Sequence, residues 1–238
     1  MKRILFLLFL IGFLNQLTAQ NDSIKNEAFG GFVILPIEFP VFDKKELNSV
    51  LNESGFPSSS YPTANIGIGL QFYTNRWITT FSFNKTTKKS DSDDYLTEVE
   101  YRSTSFNLGY DLTKNHRYSI YPFAGVKFYG LNYLYRDKIG GELNFNDYLN
   151  SNLEYKEFSA SRANLDVGLG FSYQWFFLVN LRAGYLLPLG NTKWEMNNSQ
   201  DVLVNAPTLN YDYYFTLTIG LGSVYNENEV DRHYGIQE

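Results

Sequence analysis

The chain has 238 residues, with 20 Lys and Arg against 25 Asp and Glu, a formal charge of −5 at pH 7, and no cysteine. A net negative balance argues against nucleic-acid binding, which runs on basic patches. Without thiols there is no disulfide framework, no thiolate metal site and no cysteine lipid anchor.

The N-terminus opens with Lys2-Arg3, continues as an apolar run from Ile4 to Leu14, and reaches a small residue at Ala19. A basic start, a short apolar stretch and a small residue before a break read as a cleaved secretory signal over residues 1–19. The run is shorter than the roughly twenty residues a spanning helix needs. No later apolar run reaches that length either, so a membrane crossing by the mature chain requires strands. Residues 20–27 read as a short lead, and a tail follows at 226–238.

Between them lie eight segments whose side chains alternate with period two, the signature of β-strands. In the first, Phe29, Val33, Leu35, Ile37 and Phe39 are set against Gly30, Phe32, Ile34, Pro36 and Glu38. In the second, Ile66, Ile68, Leu70 and Phe72 alternate with Asn65, Gly67, Gly69 and Gln71. The third begins at Trp77, with Phe81 and Phe83 opposite Thr80, Ser82 and Asn84. The fourth runs from about Val99 to Leu112, where Phe106, Leu108 and Tyr110 oppose Ser105, Asn107 and Gly109.

The fifth, from Ser119 to about Tyr135, is the least regular, and Pro122 belongs near its start or at a bulge because it cannot donate a ladder hydrogen bond. The sixth sets Leu165, Val167, Leu169 and Phe171 against Asn164, Asp166, Gly168 and Gly170. The seventh places Phe177, Val179, Leu181 and Tyr185 opposite Asn180, Arg182 and Gly184. In the eighth, Tyr211 to Tyr225, Tyr213, Phe215, Leu217, Ile219 and Leu221 oppose Tyr214, Thr216, Thr218, Gly220 and Gly222. One face is large and greasy; the other is small or polar and lacks the Lys and Glu of a water-facing surface. Such a strand fits lipid outside and a narrow, filled interior.

Tight turns are expected at Asn75-Arg76, Thr113 to His116 and around Trp175-Phe176. Longer connections fall at Pro40 to Thr63, Arg136 to Ala160 and Leu189 to Asn210, with a shorter one near Ser90 to Tyr95. Within the first long connection, Asp43 to Asn52 has the pattern of a short amphipathic helix, with Leu47, Val50 and Leu51 on one face and Gly55 just past its end.

This succession, over roughly residues 28–225, resembles the small eight-stranded outer-membrane barrels, the class of the OmpA transmembrane domain and OmpX. The resemblance implies an all-β, eight-stranded antiparallel up-and-down transmembrane β-barrel with long loops at one end and short turns at the other. It implies a Gram-negative outer membrane, contact with its lipids and with the barrel-assembly machinery, and a monomeric barrel with both termini in the periplasm. Thr218, Gly220 and Tyr225 match part of that class's final-strand signal, whereas Ser223 and the tail depart from it. A soluble lipocalin-like binding barrel is the alternative fold, but its outer face should carry charge.

Charges inside the strands are the candidate site. Glu38, Lys127, Arg162, Asp166 and Arg182 all fall on the inward parity. Charges in a narrow lumen are costly unless paired, so a structural ion network is expected in which Glu38 and Asp166 accept from Lys127, Arg162 or Arg182. A gated channel is the functional alternative. A lipid-modifying enzyme is weaker: the chain has two His, His116 in a turn and His233 in the tail, neither at the external rim. No catalytic, cofactor or metal residues are assigned. Phe145, Tyr148, Tyr155 and Trp194 in the long loops are candidates for contact with a surface or envelope partner. The reading is a non-enzymatic barrel that anchors external loops or supports envelope integrity.

Overall fold

The computed structural model describes residues 28–92, 95–113, 117–138, 155–196, 202–203, 206–207 and 210–226. The expected signal, the lead, the tail beyond Asn226, Phe145, Tyr148, His116 and His233 lie outside these residues. The described residues form nine strands and one helix in the order β1 (Ala28–Asp43), α1 (Lys45–Glu53), β2 (Asn65–Thr74), β3 (Trp77–Asp91), β4 (Tyr95–Tyr110), β5 (Tyr118–Asp137), β6 (Tyr155–Gln174), β7 (Phe177–Pro188), β8 (Lys193–Met196) and β9 (Asn210–Asn226).

Eight of the strands are staves of one closed antiparallel barrel. Neighbours run β5-β4-β3-β2-β1-β9-β7-β6, and β5 pairs with β6 to close the ring. The first and last staves seal it through a ladder from Ala28↔Asn226 to Asp43↔Asn210, with a bulge between Val41 and Phe42. The ninth strand, β8, is not a stave; it pairs with the loop end of β6, from Phe158↔Met196 to Ser161↔Lys193, and bridges to Val202 through Glu195.

Period-two alternation forces each stave to show one set of side chains to the outside and the other to the lumen. The exposed set includes Phe29, Val33, Leu35, Ile68, Phe81, Phe106, Phe128, Leu169, Leu181, Phe215 and Leu221. An apolar belt of this extent around a folded chain requires a non-aqueous surround. The inward set is Phe32, Glu38, Asn65, Gln71, Ser82, Asn107, Tyr121, Lys127, Asp166, Asn180, Arg182 and their neighbours, all buried.

The backbone meets its punctuation where the alternation predicts it. Two residues, Asn75 and Arg76, join β2 to β3, with Asn75 at φ 57, a left-handed conformation that asparagine tolerates better than most side chains. Two more, Trp175 and Phe176, join β6 to β7. Pro122 sits near the start of β5, one residue past the Gly109↔Phe123 pair that ends the β4–β5 ladder. Pro36 leaves a gap in the β1–β2 ladder, which passes from Ile34↔Gly69 to Ile37↔Ile66, because proline has no N–H to give.

Several staves are longer than alternation alone suggested. β3 reaches Asp91, β4 begins at Tyr95, and β5 and β6 extend to Asp137 and from Tyr155. Their outer ends carry Lys85, Lys89, Glu98, Glu100, Arg102 and Glu157 on the outward face, in place of the apolar belt. The sheet therefore continues beyond the belt as a polar extension, and the long connections are correspondingly shorter.

Candidate functional site in the barrel lumen

Two carboxylates and two cations meet inside the ring. Glu38 on β1 and Lys127 on β5 form a buried ion pair, with side chains 3% and 1% exposed. The Tyr101 hydroxyl on β4 donates to the other Glu38 oxygen at 2.9 Å. Asp166 on β6 accepts from the Tyr214 hydroxyl at 2.8 and 2.7 Å and from Asn107 Nδ2 at 3.0 Å. Tyr214 links the two halves, because Lys127 Nζ lies 3.7 Å over its ring centroid. That places a cation on the electron-rich ring face while the phenol proton points at a carboxylate.

Arg182 on β7 is 6% exposed and stacks on Phe123 at 5.0 Å. Toward the tight-turn end a neutral relay crosses the lumen. Tyr121 donates to Asn180 at 3.0 Å, Asn180 to Gln71 at 3.0 Å, and Gln71 to the Tyr73 hydroxyl at 2.9 Å, which meets Ser172 at 3.0 Å. These contacts tie β5, β7, β2 and β6 through the middle of the barrel. Satisfied polar networks of this kind rigidify an interior, and removing one member leaves its partner exposed to a low dielectric.

The other end is plugged by hydrocarbon and rings. Leu47 and Leu51 of α1, with Tyr61, pack on Val99, Tyr101, Tyr129, Leu131, Tyr133 and Tyr135. The Tyr61 and Tyr133 hydroxyls lie 2.6 Å apart. Burial holds the Tyr61 phenol well above its ordinary range, outweighing the lowering effect of that contact. The helix spans Lys45–Glu53, with Lys44 at the cap position, and Asp43 accepts from the Lys45 N–H at 3.2 Å. Gly55 follows in the left-handed conformation at φ +82. Val50, grouped with the leucines by helical spacing, is 44% exposed.

Because α1 is held by two leucines rather than by the ladder, it should detach without unfolding the staves. Leu47→Asp/Leu51→Asp is expected to open residues 45–63 to limited proteolysis while the barrel core stays resistant. Cleavage no faster than in the wild type would show that the cap is held some other way.

No protein-family model and no curated protein sequence matches the chain. Solved structures do. A major outer membrane protein from Thermus thermophilus aligns over 83% of this chain and 99% of its own, at 10% identity and a TM-score of 0.52. The fold is that of an eight-stranded outer-membrane β-barrel. Ail, the attachment invasion locus protein of Yersinia pestis, covers 85% of this chain and 100% of its own at 12% identity and a TM-score of 0.38. OprG from Pseudomonas aeruginosa covers 85% and 98% at 14% identity and a TM-score of 0.41.

Of the five charges expected in the lumen, the barrel brings Glu38, Lys127, Asp166 and Arg182 inside. Arg162 departs from the expectation. It shares their parity, but it stands at the loop-end rim, where its Nε donates to the Gly190 carbonyl at 3.2 Å. Strand stagger sets its height, and at the rim its side chain reaches a backbone carbonyl. Asp166 also takes its hydrogen bonds from Tyr214 and Asn107, not from a cation. Tyr101 and Tyr214 were not anticipated as ligands of the carboxylates. Their inward parity was the available signal.

Trp194 is a second correction. Read as a loop residue for partner contact, it is 4% exposed on β8, packed against Tyr133 and Phe158, with its indole N–H donating to the Pro207 carbonyl at 3.0 Å. Pairing of β8 with β6 turns the ring inward, where burying its area outweighs display. Tyr155, at the outer end of β6, is 58% exposed. Among the described residues, no group of three or more His, Asp or Glu is placed to hold a metal ion.

Proposed function

We propose that this barrel is a non-enzymatic outer-membrane protein whose polar sheet extension, formed by the outer ends of β3 to β6, contacts a surface or envelope partner. The tight turns and both termini then lie on the periplasmic side and the extension lies outside. The observation that supports this reading is the change of surface along single staves. β3 shows Phe81 and Phe83, then Lys85 and Lys89, on one outward face. A stave that leaves the lipid and keeps its ladder presents rigid side chains to the exterior, and rigid display lowers the ordering cost of binding.

The filled lumen supports an anchoring role over transport. Packed tyrosines, the Lys127–Glu38 pair and the Tyr121–Gln71 relay occupy the axis of a ring whose eight staves leave room only for side chains. In planar bilayers the refolded protein is expected to stay electrically silent; stepwise conductance would favour the channel reading instead. Electrophoretic mobility that changes on boiling tests the barrel itself. A photo-crosslinker at Tyr155 is expected to capture a partner on intact cells, and a crosslinker at the periplasmic-side Trp175 is not. The reverse pattern would invert the proposed orientation.

A further inference from the structure

The outward face of β3 and β4 changes chemistry abruptly at the loop-end rim of the apolar belt. On β3, Phe83 is followed on the same face by Lys85; on β4, Phe106 is followed by Thr104 and Arg102. Lys85 and Arg102 stand opposite each other in the ladder. Both reach one carboxylate: Lys85 Nζ lies 3.0 Å from Glu100 Oε2, and the Arg102 guanidinium holds Oε1. Two cations on a single acid leave the cluster one positive charge in excess. Farther out, Lys89 meets Glu98 at 3.4 Å and Lys138 meets Asp91 at 2.7 Å. Beyond β5, on β6, Glu157 accepts from Asn132 of β5 at 3.1 Å.

The arrangement is also open in the right direction. The Lys85 and Arg102 side chains are 47% and 58% exposed, whereas Glu100 beneath them is 16% exposed. On the loop side the belt ends in one row, at Phe83 on β3 and Phe128 on β5, joined through Thr104 of β4. The excess charge therefore sits at the acyl boundary, one outward position beyond Phe83 and two beyond Phe106. A guanidinium fork takes phosphate oxygens in pairs, and a lysine stem lies along apolar surface with its ammonium in the headgroup layer.

We propose that Lys85 and Arg102, brought side by side by the β3–β4 ladder, seat the phosphate of an anionic lipid whose acyl chains lie along Phe83 and Phe106. The inference rests on the membrane placement of the belt. Basic residues near an anionic surface contribute roughly fivefold each in affinity, so losing both is expected to cost on the order of twentyfold.

The test uses the full barrel folded into nanodiscs of phosphatidylcholine with a minority of phosphatidylglycerol, reading the lipid that stays bound after transfer to detergent. Boil-sensitive mobility of each sample is checked first, so failure of the membrane reading is seen separately from failure of the seat. The wild type is expected to retain phosphatidylglycerol preferentially, Lys85→Gln/Arg102→Gln to lose that preference, and Lys89→Gln/Lys138→Gln to keep it. Glu100→Gln, which frees both cations, is expected to raise retention. Equal loss in the two double variants, no preference in the wild type, or a fall in Glu100→Gln would overturn the proposal. So would thermal protection by inorganic phosphate in detergent equal to that given by the lipid, since the seat would then not be a lipid seat.

Discussion

Lys127→Met is expected to destabilise the barrel by about 3–5 kcal/mol, the cost of leaving a buried charge without its partner. Glu38 would keep the Tyr101 hydroxyl at 2.9 Å but lose the ammonium, in a position 2% exposed. Tyr214 would also lose the cation over its ring, so the effect should spread to the Asp166 side of the network. Glu38→Gln/Lys127→Met removes both charges and should recover most of the loss, because replacing a buried pair by neutral groups is often close to neutral. Urea midpoints in a defined lipid, for both single variants and the double, provide the cycle that isolates the pair. Strictly additive costs would show that the pair is not coupled, and the lumen network would lose its central element.

Gly184→Val is expected to destabilise the inner wall by driving a side chain into Tyr214. A Cβ at position 184 would lie 2.4 Å from two Tyr214 ring atoms and 2.6 Å from its hydroxyl oxygen. The ring has no easy retreat, since its hydroxyl is anchored on Asp166 and Lys127 sits over its face. Overpacking in a tight core typically costs about 1–3 kcal/mol, and here a carboxylate contact is lost as well. Gly130→Ala is the control: the nearest atom to its new Cβ is the Ala160 carbonyl oxygen at 4.0 Å. The folded fraction after refolding, read by boil-sensitive mobility, should fall sharply for Gly184→Val and stay near wild type for Gly130→Ala. Equal behaviour of the two would mean that Tyr214 has room to move and does not position Asp166 tightly.

Small residues on inner staves thus act in concert with the large ones they face. Gly170 does for Tyr121 what Gly184 does for Tyr214, with a Cβ 2.2 Å from the Tyr121 ring. The Gly168/Gly170 pair lies within β6, not at the strand-to-helix turn a phosphate loop requires. Two tyrosines on different staves thereby reach into the lumen, and each bonds to a polar group two staves away, Tyr121 of β5 to Asn180 of β7 and Tyr214 of β9 to Asp166 of β6.

What the sequence determined by itself was the wall: eight alternating staves, the tight turns at Asn75-Arg76 and Trp175-Phe176, and the inward parity of Glu38, Lys127, Asp166 and Arg182. These are local properties, because a strand's two faces are set by its own period, and a lipid surround makes the outward face unmistakably greasy. What only the tertiary structure decided was height and company. Glu38 and Lys127 are 89 residues apart, and Asp166 and Tyr214 are 48 apart. Which inward residues meet across the ring depends on the stagger of the closed sheet, which no single strand encodes. The same stagger left Arg162 at the rim, and the pairing of β8 with the end of β6 turned Trp194 inward. Alternation says which way a side chain points; only closure of the ring says what it finds there.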